Sequence, residues 1–320
     1  MVDEIRSKLY NGELIKEEGS PERFASDLFC DYSENNNQAR MNVRRNIKDL
    51  IKNVIKKTSS KYSSTKLGKF VNETIIIDAM NHISDVKHKG EQLRFSTPNT
   101  LTHWRAESFS VNEPETLEWI EHMPEESVLW DVGANVGLFS VYAAKTCKAK
   151  VIAFEPSVFN LELLARNLFL NDIQKLVTII PLALSDHLGS NLMRMTTTEW
   201  GGALSSFGKD FGWDGKIIQD VFAFNTFGLT MDQAVSHLNL PTPDFIKLDV
   251  DGIEHLVLEG GTITLRGIES ILIEINDDFA QQAENSERLL KNAGLKLKYK
   301  KQSKLAEHTK FKHTFNQIWE

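Results

Sequence analysis

Two cysteines in 320 residues, Cys30 and Cys147, are too few for a disulfide framework or a cysteine-based zinc site, and they read as plain reduced thiols. No apolar run approaches the ~18 residues of a membrane-spanning helix. The start, Met1-Val2-Asp3-Glu4-Ile5-Arg6, lacks the apolar core of a signal peptide, so the expectation is a soluble, cytoplasmic protein. There is no G-x-x-x-x-G-K-[ST] run, which excludes Walker-type phosphate binding, and no internal repeat. Charge is unevenly distributed along the chain. Residues 40–69 hold ten basic side chains against one acid, Asp49, or +9; with a net charge of −7, the remainder carries −16. That balance argues against a general nucleic-acid-binding surface on the main domain.

What is present begins with a polar segment and a short helix over residues 21–29. Val43, Ile47, Leu50, Ile51, Val54 and Ile55 then recur at helical spacing between lysines and arginines, giving an amphipathic helix with a basic outer face. Such a face is either simply solvated on a helix packed against the main domain or a second subunit, or it meets an anionic surface. Residues 59–65 read as a linker and 70–88 as a further helix. Residues 1–99 thus form a helical, partly basic N-terminal extension.

The texture changes at Thr100. Glu113-Pro114-Glu115 heads an apolar-periodic run and reads as a helix start, and strands then alternate with helices. Strands are expected over 128–132, 151–155, 176–181, 245–249 and 270–276, and helices over 136–146, 158–170, 231–238, 253–258 and 279–293. Residues 295–299 and 311–319 supply two closing strands. Seven strands with helical crossovers make an open α/β sheet over residues 100–320. Residues 190–227 break the rhythm and read as hairpins or loops over the active edge of the sheet.

The first strand ends in Asp131-Val132-Gly133-Ala134-Asn135-Val136-Gly137. Gly133 and Gly137 let backbone approach a ligand, and Asp131 offers a carboxylate to a cation or to hydroxyls. Eighteen residues past Gly137, Glu155 ends the second strand, where an acid accepts both hydroxyls of a ribose. A diphosphate-binding G-x-G-x-x-G is absent, and an acid at the head of the turn would repel a diphosphate. A cationic, phosphate-free nucleoside fits better: S-adenosylmethionine brings an ammonium for Asp131, ribose hydroxyls for Glu155 and a sulfonium methyl to donate.

The string 131–137, with Ala153-Phe154-Glu155-Pro156-Ser157-Val158-Phe159-Asn160, Ala183-Leu184-Ser185-Asp186 and Ile246-Lys247-Leu248-Asp249-Val250-Asp251-Gly252-Ile253-Glu254-His255, resembles the FkbM family of S-adenosylmethionine-dependent methyltransferases. The resemblance covers roughly residues 101–320. It implies a seven-stranded Rossmann-like class I methyltransferase sheet and O-methylation of a hydroxyl on a sugar, glycoconjugate or related natural product. Carried over by position, Asp131, Gly133, Asn135 and Gly137 line the methionine end, Glu155 holds the ribose, and Ala183 and Leu184 flank the adenine. Asn160 either assists the cofactor or caps its helix.

Alternation sets Lys247, Asp249 and Asp251 on one side if the strand continues, but Gly252 marks a turn at Asp251, so Asp249 is the first choice for contact with cofactor or acceptor. Asp249, Asp251 and His255 are the candidate bases. Asp251-Gly252 is equally a tight turn, and His255 a helix residue without chemistry. Asp249, Asn276 and Asp277 make a hypothetical Mg²⁺ site, because hard cations take such oxygens. Residues 200–215 form the candidate acceptor pocket or lid. The rival readings are a non-catalytic cofactor-binding scaffold and a protein methyltransferase. Nucleic acid methylation is disfavoured by the absence of an Asn-Pro-Pro-Tyr type of motif. A homo-oligomer, or an anionic surface met by the basic helix, completes the expected partners.

Overall fold

The computed structural model describes residues 62–302 and 306–320. The expected helices over 21–29 and 43–55 lie outside the described residues. Helix α1 spans Lys66–Met80; Leu67, Phe70, Ile75, Ile76 and Ile77 on it are exposed. The helix does not continue to residue 88 as the sequence pattern predicts. Strand β1 (Ile83–His88) pairs antiparallel with β2 (Glu91–Ser96) through Lys89-Gly90, both at positive φ, the backbone that a two-residue hairpin turn requires. The described residues from Ile77 onward, apart from 306–310, form one compact unit.

Helices α2 (Thr100–Glu107), α3 (Phe109–Asn112) and α4 (Pro114–Glu121) lead into it; α2 starts in a capping box of Asn99 and Thr102, and α4 has the expected proline in its first turn. Then come β3 (Val128–Val132), α5 (Leu138–Thr146), β4 (Lys150–Phe154), α6 (Val158–Leu170) and β5 (Val177–Ile180). An excursion comes next, of β6 (Ala183–Leu184), β7 (Gly189–Met195), β8 (Ser206–Phe207) and β9 (Phe222–Leu229). The chain closes with α7 (Met231–Leu238), β10 (Phe245–Leu248), α8 (Glu254–Glu259), β11 (Ser270–Asn276), α9 (Ala280–Asn292), β12 (Leu297–Lys301) and β13 (Thr314–Trp319).

Seven strands form the main sheet in the order β5-β4-β3-β10-β11-β13-β12, with β13 antiparallel to both of its neighbours. The chain winds outward from β3 through β4 to β5, then crosses back to β10 and continues the other way. The crevice at the carboxyl ends of β3 and β10 is therefore the topological switch point, where open α/β sheets take ligands. Residues 183–229 build a second sheet in the order β6-β9-β7-β8. The irregular stretch read from the sequence thus carries its own strands.

Alternation divides the main sheet between two cores. Leu129, Val151, Ala153, Leu272 and Ile318 face Leu117, Ile120, Val141 and the hairpin residues Leu93 and Phe95. Trp130, Ile152, Ile246, Leu248, Ile271 and Ile273 face Val257, Leu258 and Leu290. The outer edge of β2 is bonded to α6: Asn171 accepts from the Arg94 N–H (3.0 Å) and donates to the Arg94 carbonyl (2.7 Å), while Asn167 accepts from the Ser96 N–H (2.7 Å). The hairpin is therefore part of the core on one face of the main sheet. Leu93→Ala should cost about 2–5 kcal/mol by leaving a cavity there. Urea unfolding checks this, and a loss under about 0.5 kcal/mol, the size of a surface substitution, would show the hairpin to be superficial.

Candidate active site

The turn after β3 is shaped by backbone that only glycine accommodates. Gly133 lies at φ +85°, and a β-carbon on it would stand 1.9 Å from the Asp249 carbonyl oxygen. At Gly137, φ +81°, a β-carbon would meet Leu164 Cδ1 at 2.3 Å. These contacts press the ends of β3 and β10 together and seat α5 on α6. Glu155 ties the turn to the end of β4: its Oε2 accepts from the Asn135 N–H (2.8 Å) and its Oε1 from the Ser157 N–H (2.7 Å). It is 5 % exposed, and burial pushes its carboxyl up to about 7 against those donors.

Asp131, on the face covered by α5, accepts from the Ser140 hydroxyl through Oδ2. Its Oδ1 is buried without a hydrogen-bond partner among the described residues. Burial raises its proton affinity more than Lys247 lowers it. Lys247 stands in register with Asp131 on the neighbouring strand, buried inside the sheet. Its ammonium donates to Asp249 Oδ2 (2.8 Å) and lies 4.9 Å from the centre of the Phe139 ring. Burial works against that charge, but Asp249, Glu113 and Asp131 outweigh it and hold the lysine protonated.

More carboxyls crowd the same mouth. Burial, then the charge of Asp249, lifts Asp251 to about 7; Asp251 sits at φ +61° and its Oδ2 accepts from the Leu204 N–H (2.7 Å). Glu274 of β11 is raised well above the ordinary range by burial and by Asp249 and Glu113, and Glu113 is itself raised by burial. Glu254 is buried beneath the loop and holds it, accepting from the N–H groups of Val250 (2.9 Å) and Gly252 (3.0 Å).

Over the glycine turn runs a strap, Trp200-Gly201-Gly202, fixed by four side chains. Asn99 donates to the Trp200 carbonyl (3.0 Å) and Arg105 Nε to the Gly201 carbonyl (2.9 Å). Asn135 (2.8 Å) and Asn160 (3.1 Å) both donate to the Gly202 carbonyl, and the Gly201 N–H returns a bond to Asn160 Oδ1 (3.1 Å). Asn160 is thus a cross-link from α6 to the strap. It does not cap the helix, whose capping position is Ser157. Trp200 also borders a cleft of about 500 Å³ with Asn99, Phe159, Thr198 and Glu199. The other end of the 200–215 segment packs elsewhere, with Phe211 edge-on to Phe279 at 5.4 Å.

Other expected residues fall differently. Ala183 and Leu184 are buried in β6, paired with Gly228 and Leu229. His255 is buried on α8 with neither ring nitrogen hydrogen-bonded among the described residues, edge-on to Phe279; burial lowers it to about 4, so the ring is neutral near pH 7. The Mg²⁺ reading gains no support. Asp249 is paired with Lys247, and both Asp277 oxygens take the Lys300 ammonium (2.7 and 2.6 Å). Asn276 donates to the Trp213 carbonyl (3.2 Å) and accepts from the Asp278 N–H (3.0 Å). Among the described residues no group of three His, Cys, Asp or Glu side chains is placed to hold a metal ion. Arg105, Glu113 and Glu274 are site residues that no sequence motif marks. Lys247 carried a signal, a charge inside an otherwise apolar strand.

A seven-stranded sheet in this order, with its one reversed strand next to the edge and an acid-headed glycine turn at its switch point, is the class I methyltransferase architecture. The profile of the methyltransferase FkbM domain matches residues 131–299, and the chain belongs to that family. It is 26 % identical over 195 residues to the hexuronic acid methyltransferase AglP of Haloferax volcanii, which spans 58 % of this chain and 72 % of that protein. It is 40 % identical over 72 residues to the methyltransferase sdnD of Sordaria araneosa, 22 % of this chain and 28 % of that one. Among solved structures, fibrillarin of Aeropyrum pernix is similar at a TM-score of 0.41 and 10 % identity, over 75 % of this chain and 83 % of its own.

Asn160→Ala should release the Gly202 carbonyl and the Gly201 N–H from their shared anchor. The expected result is a loss of about 1–3 kcal/mol and faster amide exchange confined to residues 198–206, read by hydrogen-exchange mass spectrometry. Unchanged exchange there would show that the strap is held without Asn160.

Proposed function

We propose that the protein is an S-adenosylmethionine-dependent O-methyltransferase whose acceptor is a hydroxyl on a sugar, glycoconjugate or related natural product. The observation that carries this reading is the set of carboxyls in the crevice: Asp131, Glu155, Asp249, Asp251, Glu113 and Glu274 converge there against Lys247 and Arg105. A diphosphate would drive these carboxyls, already raised in proton affinity, further towards their protonated forms, whereas a sulfonium nucleoside favours their ionised ones. Two further features suit such a donor. Asp131 Oδ1 is a buried acceptor still lacking a donor, and at Gly133 the backbone leaves no space for a β-carbon. The hexuronic acid acceptor in the name of the Haloferax relative supports a sugar.

When bound, the cofactor supplies a methyl carbon on a sulfonium leaving group. Asp131, Gly133, Asn135 and Gly137 form the floor for its amino-acid end, Glu155 accepts the ribose hydroxyls, and Ala183 and Leu184 border the base. Asp249 positions the acceptor hydroxyl, and Asp251 takes its proton as the oxygen–carbon bond forms and the carbon–sulfur bond breaks. A carboxyl held near 7 accepts a proton at neutral pH and releases it again to water. His255, neutral but enclosed, stands behind these two as a base.

S-adenosylhomocysteine should bind the full-length protein, and Glu155→Ala should weaken it by about tenfold or more in calorimetry. Absence of binding to the wild type would remove the reading. Asp251 must be ionised to act, so kcat should rise with pH through about 7 and then level. Asp251→Asn should lower kcat by about 10²–10⁴-fold and erase that inflection. A mutant profile with the wild-type inflection would assign the base elsewhere. Acceptors are found by mass spectrometry of glycans with and without the active gene, seeking a methyl-sized difference.

A further inference from the structure

Arg105 carries a charge that makes no ion pair among the described residues. The side chain rises from α2, partly exposed, and its Nε–H is spent on the Gly201 carbonyl at 2.9 Å. The two terminal nitrogens have no hydrogen-bond or ion-pair partner among the described residues. Burial lowers its proton affinity, and the nearby charges of Asp251, Asp249, Glu113 and Glu155 oppose that shift without overcoming it. Each of these acids is engaged elsewhere: Glu155 with the N–H groups of Asn135 and Ser157, Asp251 with that of Leu204, Asp249 with Lys247, and Glu113 with the Thr116 hydroxyl.

The contrast with Lys247 is informative. That ammonium is buried and locked onto Asp249, so its charge serves the protein itself. Arg105 is locked only at Nε, which fixes the plane of the guanidinium and leaves its outer edge of two parallel N–H donors open. That edge matches a carboxylate in a bidentate pair, the geometry that distinguishes arginine from lysine. A guanidinium with this edge unpaired, inside a mouth of acids that have other partners, is a cation held ready for an anion that arrives with a ligand.

We propose that Arg105 binds a carboxylate of a bound substrate, so that anion recognition in this predominantly acidic crevice rests on one side chain. The inference depends on the methyl-donor reading above. Two molecules of that reaction can bring the group: the donor, through its amino-acid end, and an acceptor that is a sugar acid. Because the same arginine holds Gly201, the bound carboxylate and the strap share one anchor.

The test uses the full-length protein and two ratios measured by calorimetry. The first compares S-adenosylhomocysteine with methylthioadenosine, which keeps the nucleoside and lacks the amino acid. The second, with S-adenosylhomocysteine present, compares p-nitrophenyl glucuronide with p-nitrophenyl glucoside. Arg105→Gln retains an N–H for Gly201 without the charge, and Arg105→Lys retains the charge without the fork. Glutamine should weaken S-adenosylhomocysteine about 10- to 100-fold and leave methylthioadenosine unchanged if the donor brings the carboxylate. It should instead abolish a preference for the glucuronide if the acceptor does. Lysine should fall between glutamine and the wild type, and it decides the matter alone if the glutamine variant fails to fold. Variants that leave both ratios at wild-type values overturn the proposal, as does a wild type that prefers neither carboxylate-bearing ligand. A wild type that binds neither adenosine compound overturns the methyl-donor reading itself, and this inference with it.

Discussion

The buried ammonium of Lys247 is the constraint on which the site depends. A lone charge inside a parallel sheet would cost far more than the packing around it returns, and it is tolerable only when opposing charges arrive from all sides. Three segments distant in sequence supply them: the end of β3 through Asp131, the loop after β10 through Asp249, and the lead into α4 through Glu113. The ion pair is made with Asp249, while Asp131 and Glu113 add their charge without a direct bond, so β3, β10 and the lead into α4 are drawn together around one ammonium. The two strands whose separation defines the cofactor crevice are thus held by electrostatics at the level where the apolar core ends.

A second consequence concerns the carboxyls left over. Lys247 is engaged with Asp249, so Asp251, Glu274 and Glu155 must be accommodated by backbone donors or by keeping their protons. Glu254 combines both: burial lifts it to about 7, while its oxygens collect the N–H groups of Val250 and Gly252 and hold the loop in a backbone that an aspartate at positive φ would otherwise leave. Holding one carboxyl with main-chain donors keeps the neighbouring acids close enough to raise one another's proton affinity. That crowding sets the chemistry at the mouth.

Much of the sheet was legible in the sequence, because buried parallel strands are short apolar runs and crossover helices carry their own period. The runs at 128–132 and 270–276 coincide with β3 and β11. The β1–β2 hairpin was not legible. Ile75-Ile76-Ile77 extends the helical pattern towards it, and its inward residues, Val86, Leu93 and Phe95, are too few to declare a strand among Asp85, Lys87, His88, Lys89, Glu91 and Arg94. Of the candidate site, spacing marks the glycine turn and Glu155, and a place at a strand end marks Asp249. The strap could not, because the bonds of Asn135 and Asn160 to Gly202 join side chains to main chain across about forty residues or more without any period. Arg105 on α2 and Glu113 between α3 and α4 lie outside the strand ends, in segments whose approach to the crevice is a tertiary fact.

The asparagines of α6 that bind β2 have an effect beyond the hairpin. Asn171 offers both an acceptor and a donor to Arg94, and Asn167 accepts from Ser96 while donating to the Val136 carbonyl in the glycine turn. To the outer edge of β2 this is what a neighbouring strand would present. A two-stranded ribbon normally exposes a ladder of free amides on which a foreign strand can grow. Here two side-chain amides occupy those positions on β2, and one of them is also bonded to the turn at the mouth of the crevice. Protection against aggregation and the shape of the ligand site are therefore written into the same residue, and a substitution at Asn167 would be selected against on both grounds at once.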